Sequence, residues 1–284
     1  MSTHPSSEPL VGRYSAGMPQ LCGSGLSENW LLKECGHRHW LAIARSQGLA
    51  RPRFHDAQGQ RVYAAFTLLR IRQARLERVE EHDDFDIATQ CQPAGRTQHY
   101  SRHEVLLRGR CIAEVEMLSV FVRRTQAGNN RSIVRAVMAG SDAAAPFALA
   151  AAAEAFVQRG RALRAASPRQ ASEAATHAIA FTPCPYNDFN GADLLYFSSF
   201  QSMVDRAEWD WMHNPHPAHL RERELVFYGN LDIGDAIRCE LRAGPAAAGQ
   251  FTHASVFLRG CDGMRLAEVF TRKQLARTAQ ALAA

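Results

Sequence analysis

The pattern of hydrophobic and polar positions in the first half of the chain predicts helices followed by strands. An amphipathic stretch begins at Ser27, which can cap a helix, and Gly36 is expected to end or bend that helix. A second short helix is predicted over 39–47, closed by Gly48. Segments rich in β-branched, aromatic and leucine residues then predict strands, which cover 62–71, 74–81, 84–92, 97–107 and 112–123. Helices followed by a run of strands are typical of an α+β domain.

The second half repeats this order after a connection rich in Ala, Arg and Gln. A helix is predicted over 146–165 in the connection, a short strand over 179–183 and a long helix over 192–211. Segment 205–209 of the long helix is expected to be a charged helix face with one or two i, i+3 interactions. Four further strands are predicted, at 222–230, 236–241, 252–259 and 266–271. A strand, a helix and then an antiparallel meander form the hotdog pattern, in which a curled sheet wraps around one central helix.

Two short motifs recur near the end of each half. Leu107–Gly109 recurs as Leu258–Gly260 after 151 residues, and Ile112–Val115 recurs as Leu266–Val269 after 154 residues. A repeat this long indicates a duplicated domain and not a solenoid. The predicted fold is therefore α+β, a double hotdog whose pseudo-two-fold interface lies within one chain, where small-molecule sites often form. The predicted boundaries are a flexible arm at 1–16, hotdog domains at 17–140 and 175–284, and a helical linker at 141–174.

Composition and charge are compatible with a soluble enzyme. The chain has 284 residues, of which 46% are hydrophobic, and no apolar run is long enough to span a bilayer. The first residues lack the apolar core of a signal peptide, so we expect a cytoplasmic protein. The net charge of +5 is spread among acidic residues, without a nucleic-acid motif. Such a surface suits a polyanion such as coenzyme A or an acidic carrier protein, and equally suits no particular partner.

Cysteines and histidines do not suggest a metal site. The seven cysteines are odd in number and lack C-x-x-C spacing, so we expect reduced and mostly buried thiols. Two histidine groups have spacings unsuited to metal ligands, and we expect solvated side chains for all of them: His37, His39, His213, His216 and His219. No cofactor is expected beyond a coenzyme A thioester as substrate.

Four segments carry a resemblance to a known family. They are the stretch from Gly17 to Glu34, His39-Trp40, the stretch from Val62 to Thr67, and the stretch from Pro185 to Phe197. Together they resemble the double hotdog acyltransferase/decarboxylase family of leinamycin and related polyketide biosynthesis, from about Gly17 to Lys273. The resemblance implies an enzyme that moves an acyl group from acyl-CoA to an acyl carrier protein. In the leinamycin member the substrate is methylmalonyl-CoA, which is decarboxylated to propionyl.

The resemblance also implies a catalytic tyrosine, which Tyr63 matches. Without the resemblance, an aromatic residue on a predicted strand would be interpreted as core. A phenol is a poor nucleophile unless a partner activates it, but it can donate a hydrogen bond or a proton to an enolate. Tyr63 is therefore predicted either to accept the acyl group or to act as a donor.

The thioester carbonyl gains negative charge during either reaction and needs donors aimed at its oxygen. Gly191 and Ala192 are predicted to open the second central helix, whose first N–H groups could serve as those donors, although Gly191 could equally do no more than make the turn before the helix. We predict substrate contacts for Thr67 and for Asn29 and Asn190, although each asparagine could instead cap its helix.

Two alternative functions remain open at the level of sequence. Asp188 precedes the second helix at a spacing that some hotdog thioesterases use for a catalytic nucleophile or base, and it could equally be a turn residue. A non-catalytic acyl-binding subunit is the other alternative, because fold alone does not fix function. Two halves in one chain can replace the usual hotdog dimer, so a monomer or a homodimer is expected.

Overall fold

One antiparallel sheet runs through both halves of the chain. The computed structural model describes residues 8–140, 150–166, 175–213, 218–244 and 249–275. Its helices are α1 (Glu28–Ser46), α2 (Ala151–Ala166) and α3 (Phe197–Met212). Its strands are β1 (Leu10–Ser15), β2 (Leu21–Cys22), β3 (Gly25–Leu26), β4 (Phe54–His55), β5 (Arg61–Arg72), β6 (Asp84–Pro93), β7 (Gln98–Leu107), β8 (Arg110–Arg124), β9 (Ile133–Arg135), β10 (His177–Phe181), β11 (His219–Phe227), β12 (Ile237–Ala243), β13 (Gln250–Arg259) and β14 (Arg265–Gln274).

The strand order has an internal two-fold pattern. It runs β1-β6-β7-β8-β5 in the first half and continues β11-β14-β13-β12-β10 in the second, so that β5 and β11 pair at the centre. Each of these two strands has a bulge against its neighbour, at Thr67 and at Arg221. The bulges are 154 residues apart, the offset of the second sequence repeat. The chain has the double hotdog fold, as the repeat predicted.

Each half wraps its strands around one long helix. The apolar faces of α1 and α3 lie in a single core that continues from one half into the other. The helix α1 is continuous, so the prediction of two short helices separated at Gly36 was wrong. A Cβ atom at Gly36 would lie 2.7 Å from Cζ of Phe197, which shows that this glycine allows close approach of α1 and α3 rather than a break.

Several predicted boundaries also need correction. Residues 10–15 belong to β1, which pairs with β6, and are not part of a flexible arm; residues 1–7 lie outside the described part of the chain. Segment 74–81 is not a strand but contains a short 3₁₀ turn at Leu76–Arg78. The hairpin at Arg108 and Gly109 is confirmed, with φ of 51° and 73°, as a tight two-residue turn requires.

The linker helix α2 covers the outer face of the sheet where the halves meet. Phe156 and Val157 pack against Leu68 of β5 and Val226 of β11. The first residues predicted for this helix, 146–149, lie outside the described residues. In the described helices we find none that combines the length and apolar composition needed to cross a membrane.

The histidine prediction was wrong for His39, which is fully buried on α1. Its Nδ1 lies 2.6 Å from Oγ of Ser101 and its Nε2 lies 2.8 Å from Oγ of Ser119, so the two strands β7 and β8 satisfy the ring. His103 continues this buried chain, with its Nε2 2.9 Å from Ser101 Oγ. His37 and His213 are exposed and His219 is half-buried, whereas His216 lies outside the described residues.

The cysteines are unbonded, but most of them are not buried. Only Cys35 and Cys239 are buried, because they lie on inward positions of α1 and β12. The exposed thiols lie at strand ends and turns: Cys22, Cys111 and Cys261.

Candidate functional site

A cavity of about 720 Å³ opens where β5 and β11 stop pairing. The two strands are paired from Leu68 with Val226 to Ile71 with Arg223, and they diverge beyond the first of these pairs. Residues 61–67 of β5 form one wall of the cavity, and segments 190–197 and 227–230 form the other. Both halves of the duplicated fold therefore contribute to one site.

Tyr63 and Thr67 line the wall formed by β5. Alternation along the strand puts both side chains on the same face. The guanidinium carbon of Arg61 lies 5.3 Å from the centre of the Tyr63 ring, a cation–π distance. Oγ1 of Thr67 donates to the carbonyl of Leu118 at 3.1 Å, so this hydroxyl is used by the bulge. Among the described residues, no hydrogen bond is made by the Tyr63 hydroxyl.

The opposite wall corrects the predicted start of the second central helix. Oδ1 of Asn190 accepts from the backbone N–H groups of Ala192 at 2.9 Å and Leu194 at 3.2 Å. Asp193 adopts the left-handed region with φ of 54°, and α3 begins only at Phe197. Gly191 and Ala192 therefore line the cavity from a turn and do not open the helix. This turn forms because the asparagine side chain captures N–H groups that a helix would leave free.

Asn130 of the first half, which sequence reasoning missed, holds this turn in place through hydrogen bonds. Nδ2 of Asn130 donates to the carbonyls of Asp193 at 2.6 Å and Leu231 at 2.8 Å. Asn230 donates to and accepts from the backbone of Leu195. In the sequence, the segment around Asn130 has the composition of a linker, so no local signal distinguishes it.

Two predicted site residues lie outside the cavity. The amide of Asn29 donates to Oγ of Ser202 at 2.7 Å and to the carbonyl of Ser198 at 3.1 Å, and thus joins α1 to α3. Oδ2 of Asp188 accepts from the backbone N–H of Cys184 at 2.8 Å. The structure thus brings Tyr63, Thr67 and segment 190–192 together and leaves these two residues in structural contacts.

The ionisable groups of the cavity wall are basic, phenolic or imidazole, and no carboxylate or thiol of the described residues lines it. Arg131 is paired with Asp235 at 2.9 Å, and Arg259 is paired with Asp262 at 2.6 Å. Arg61, an exposed residue of this wall, has no ion pair within the described chain.

A second tyrosine that sequence reasoning missed also lines the wall. Tyr196 is the N-cap residue of α3, and burial raises the pKa of its phenol to about 12, so this hydroxyl stays protonated. Within the described part of the chain, no side chain caps the first N–H groups of α3 beside it. The described part of the cavity wall therefore combines phenol hydroxyls with a cation, Arg61, that makes no ion pair with the described residues.

The other end of the β5–β11 pair has a different character. A smaller cavity of about 270 Å³ lies there, beside a buried ionic cluster. The fully buried Arg223 is 2.9 Å from Glu28 and 2.8 Å from Asp205, and Lys273 pairs with Asp205 at 3.0 Å and with Glu208. Glu208 is therefore buried, and both Asp205 and Glu208 pair with cations of the sheet, where the sequence predicted a charged helix face with i, i+3 interactions. Burial, in a cluster with more carboxylates than permanent cations, raises the pKa of Glu28 to about 7.

Comparison with solved structures agrees with this architecture. The 12:0-ACP thioesterase from Umbellularia californica superposes with a TM-score of 0.66 at 12% identity, covering 94% of each chain. An acyl-ACP thioesterase from Bacteroides thetaiotaomicron gives 0.60 at 11% identity, over 94% of this chain and 98% of that one. An acyl-CoA thioesterase II from Mycobacterium marinum gives 0.52 at 11% identity, over 95% and 94%.

The shared feature is the double hotdog fold over nearly the whole length. At this identity, the similarity establishes the fold and not the reaction. No protein-family model matches the sequence, and no curated protein sequence matches it. Within the described residues, no group of three or more His, Cys, Asp or Glu side chains is arranged to hold a metal ion.

Proposed function

We propose that this protein is an acyl-thioester enzyme that transfers an acyl group from acyl-CoA to an acyl carrier protein, with the reaction centred on Tyr63. The observation that carries the proposal is the composition of the cavity wall. Tyr63 and the unpaired Arg61 lie side by side there, and no described carboxylate or thiol lines the wall. Such a site offers hydrogen-bond donors to a thioester oxygen but no obvious carboxylate base for water.

In the transfer step, the phosphopantetheine thiol of the carrier attacks the thioester carbonyl and coenzyme A leaves as its thiol. The oxygen becomes negative in the tetrahedral intermediate, and the Tyr63 hydroxyl would stabilise it by donating a hydrogen bond. The N–H groups at the start of α3 add a positive dipole end on the facing wall.

When the acyl group carries a carboxylate next to the α-carbon, the same donors suit decarboxylation. The bond between the α-carbon and the carboxylate breaks, CO₂ leaves, and the electron pair enters the thioester as an enolate. Tyr63 would donate to the enolate oxygen, and a proton then adds to the α-carbon. Arg61, beside the tyrosine ring, is placed to orient the carboxylate before it leaves. Methylmalonyl-CoA is the substrate that the family resemblance favours.

Hydrolysis is the second candidate, because the solved structures of similar fold are named as acyl-ACP and acyl-CoA thioesterases. In that reaction Asp188 would act as nucleophile or base. Its Oδ2 would first have to leave the Cys184 amide, which it now accepts from.

Intact-mass spectrometry of a carrier protein, after incubation with the enzyme and methylmalonyl-CoA or malonyl-CoA, tests the proposal. A propionyl or acetyl mass on the carrier supports transfer with decarboxylation, whereas free CoA with an unmodified carrier supports hydrolysis. Binding without release of CoA would support a non-catalytic acyl-binding subunit.

The residue assignment is tested by Tyr63→Phe, which removes one hydroxyl and leaves the ring beside Arg61. We expect turnover to fall at least 100-fold, the typical cost of a lost transition-state donor. Tyr186→Phe is the matched control, because Tyr186 is 93% exposed and lies outside the cavity. Near-normal turnover in Tyr63→Phe would refute the assignment.

A further inference from the structure

The carbonyls at the point where β5 and β11 diverge are bridged by a residue from the linker helix. Nη2 of Arg164 donates to the carbonyl of Thr67 at 3.1 Å and also to the carbonyl of Phe227. Thr67 and Phe227 lie on opposite walls of the large cavity. A single guanidinium therefore spans the gap from the outer side of the sheet.

The opposite end of the same strand pair shows what a closed junction looks like. There the backbone N–H of Ala74 donates to the carbonyl of Arg221 at 3.1 Å, and the strands remain joined by the main chain. The repeat offset of 154 residues relates Ala74 to Tyr228 and Arg221 to Thr67. The equivalent bond, from Tyr228 to Thr67, is not made at the cavity end, because the Tyr228 N–H donates to the carbonyl of Leu266 at 2.8 Å.

Arg164 thus takes the place of a main-chain hydrogen bond that the duplication would otherwise provide. A guanidinium is longer than a direct N–H···O contact, so the strands can stand further apart while the Thr67 and Phe227 carbonyls remain paired. The ring of Tyr228 lies 5.0 Å from the Arg164 guanidinium carbon and restrains it from one side.

The helix that carries Arg164 is itself fixed on the sheet. Arg159, more than one turn earlier, makes a two-pronged pair with Glu224 of β11, at 2.5 and 2.7 Å. Phe156 of the same helix is buried against the paired part of the two strands. The bridging guanidinium is therefore held by an anchored element and not by a loose connection.

We propose that Arg164 is a positioning residue, which holds the walls of the cavity at the separation that the thioester requires. It touches no substrate but acts through Thr67, four residues along β5 from Tyr63, and through Phe227 on the facing wall. The sequence predicted only a linker helix here, but under this proposal α2 carries a residue that positions the cavity walls. The expected effect of Arg164 on turnover rests on the proposed function, whereas its expected effect on the separation of the two strands does not.

Hydrogen–deuterium exchange of Arg164→Met tests the structural consequence. We expect amide exchange in segments 64–70 and 224–230 to rise about tenfold, with the remaining sheet unchanged. Arg161→Met is the matched control, because Arg161 lies exposed on the same helix and makes no ion pair with the described residues. Unchanged exchange at both segments in Arg164→Met would overturn the proposal.

Steady-state kinetics test the catalytic consequence. We expect kcat of Arg164→Met to fall about tenfold with little change in KM, because a misplaced Tyr63 weakens the transition state more than binding. Arg164→Lys keeps the charge and can donate to both carbonyls, so its kcat should lie between those of Arg164→Met and wild type. This variant decides the question if Arg164→Met folds poorly. Equal kcat in wild type and Arg164→Met would overturn the proposal. If wild type turns over no thioester, the proposed function fails, and the exchange experiment still decides the role of Arg164.

Discussion

Acidification should destabilise this protein through three histidines that are buried without charge. Burial lowers the pKa of His99 to about 4, of His103 to about 3, and of His39 well below its ordinary value. In the unfolded chain an imidazole has a pKa of about 6.5. The unfolded state therefore takes up protons below this pH while the folded state does not, and stability is lost as the pH falls.

The magnitude follows from the separation between these pKa values. At pH 5.5 the unfolded imidazole is one pH unit below its pKa, which costs about 1.4 kcal/mol for each buried histidine relative to pH 7.5. Three such residues together cost about 4 kcal/mol, a large share of an ordinary domain stability. Glu28 acts in the opposite direction, because its pKa is raised to about 7, so it gains a proton in the folded state first.

Comparing His39→Gln with wild type removes the contribution of Glu28 to the pH dependence of stability, because both proteins contain Glu28. His39→Gln keeps a donor and an acceptor for Ser119 and Ser101 but does not titrate, so its loss of stability between pH 7.5 and 5.5 should be smaller by about 1.4 kcal/mol. His37→Gln is the control on the same helix, because His37 is exposed and should leave the loss unchanged. Urea unfolding at each pH, followed by circular dichroism, gives the free energies. An identical pH dependence in wild type and His39→Gln would refute the argument that His39 is buried as a neutral ring.

Three further substitutions probe the packing, the ionic cluster and the substrate. Gly36→Ala should lower the free energy of unfolding by about 1–3 kcal/mol, measured in urea, because the added methyl meets the Phe197 ring. Arg223→Met should lower it by about 3–5 kcal/mol, because the buried Glu28 and Glu208 and the half-exposed Asp205 would keep only Lys273 as a permanent cation; a loss under 1 kcal/mol would contradict this. Arg61→Gln should lower kcat/KM about tenfold for methylmalonyl-CoA and less than twofold for propionyl-CoA, in an assay of CoA release, since it removes about 1.4 kcal/mol of charge-assisted binding. Equal losses on both substrates would show that Arg61 contacts the coenzyme A portion instead.

The fold could be predicted because its signals are local and occur twice. Arg108 and Gly109 form a two-residue hairpin turn with positive φ at both positions, and the motif recurs at the start of the longer hairpin loop of the second half, where Gly263 has the positive φ. The strand that carries Tyr63 and Thr67 was likewise predicted from its local composition, over 62–71, and is observed as β5 (Arg61–Arg72).

The errors occurred where distant parts of the chain decide the outcome. Gly36 stays helical because the Phe197 ring, distant in sequence, fills the space that a side chain would occupy. His39 is buried because strands β7 and β8 provide Ser101 and Ser119 for both ring nitrogens. A linear pattern does not contain these partners, so isolated polar or glycine residues were interpreted as solvated or helix-breaking.

The two ends of the central strand pair explain why, among the described residues, the large cavity lies at one end and a smaller one at the other. At the closed end, the Ala74 amide joins the strands, and Arg223 with its carboxylates fills the space beneath them. The repeat offset relates Arg223 to Leu69, an apolar residue that needs no partners, so the cavity end contains no equivalent ionic cluster. One end of the β5–β11 pair thus holds a buried ionic cluster, whereas the other end is open and forms the cavity beside Tyr63. This asymmetry leaves the large cavity at one end of the strand pair and the buried ionic cluster at the other.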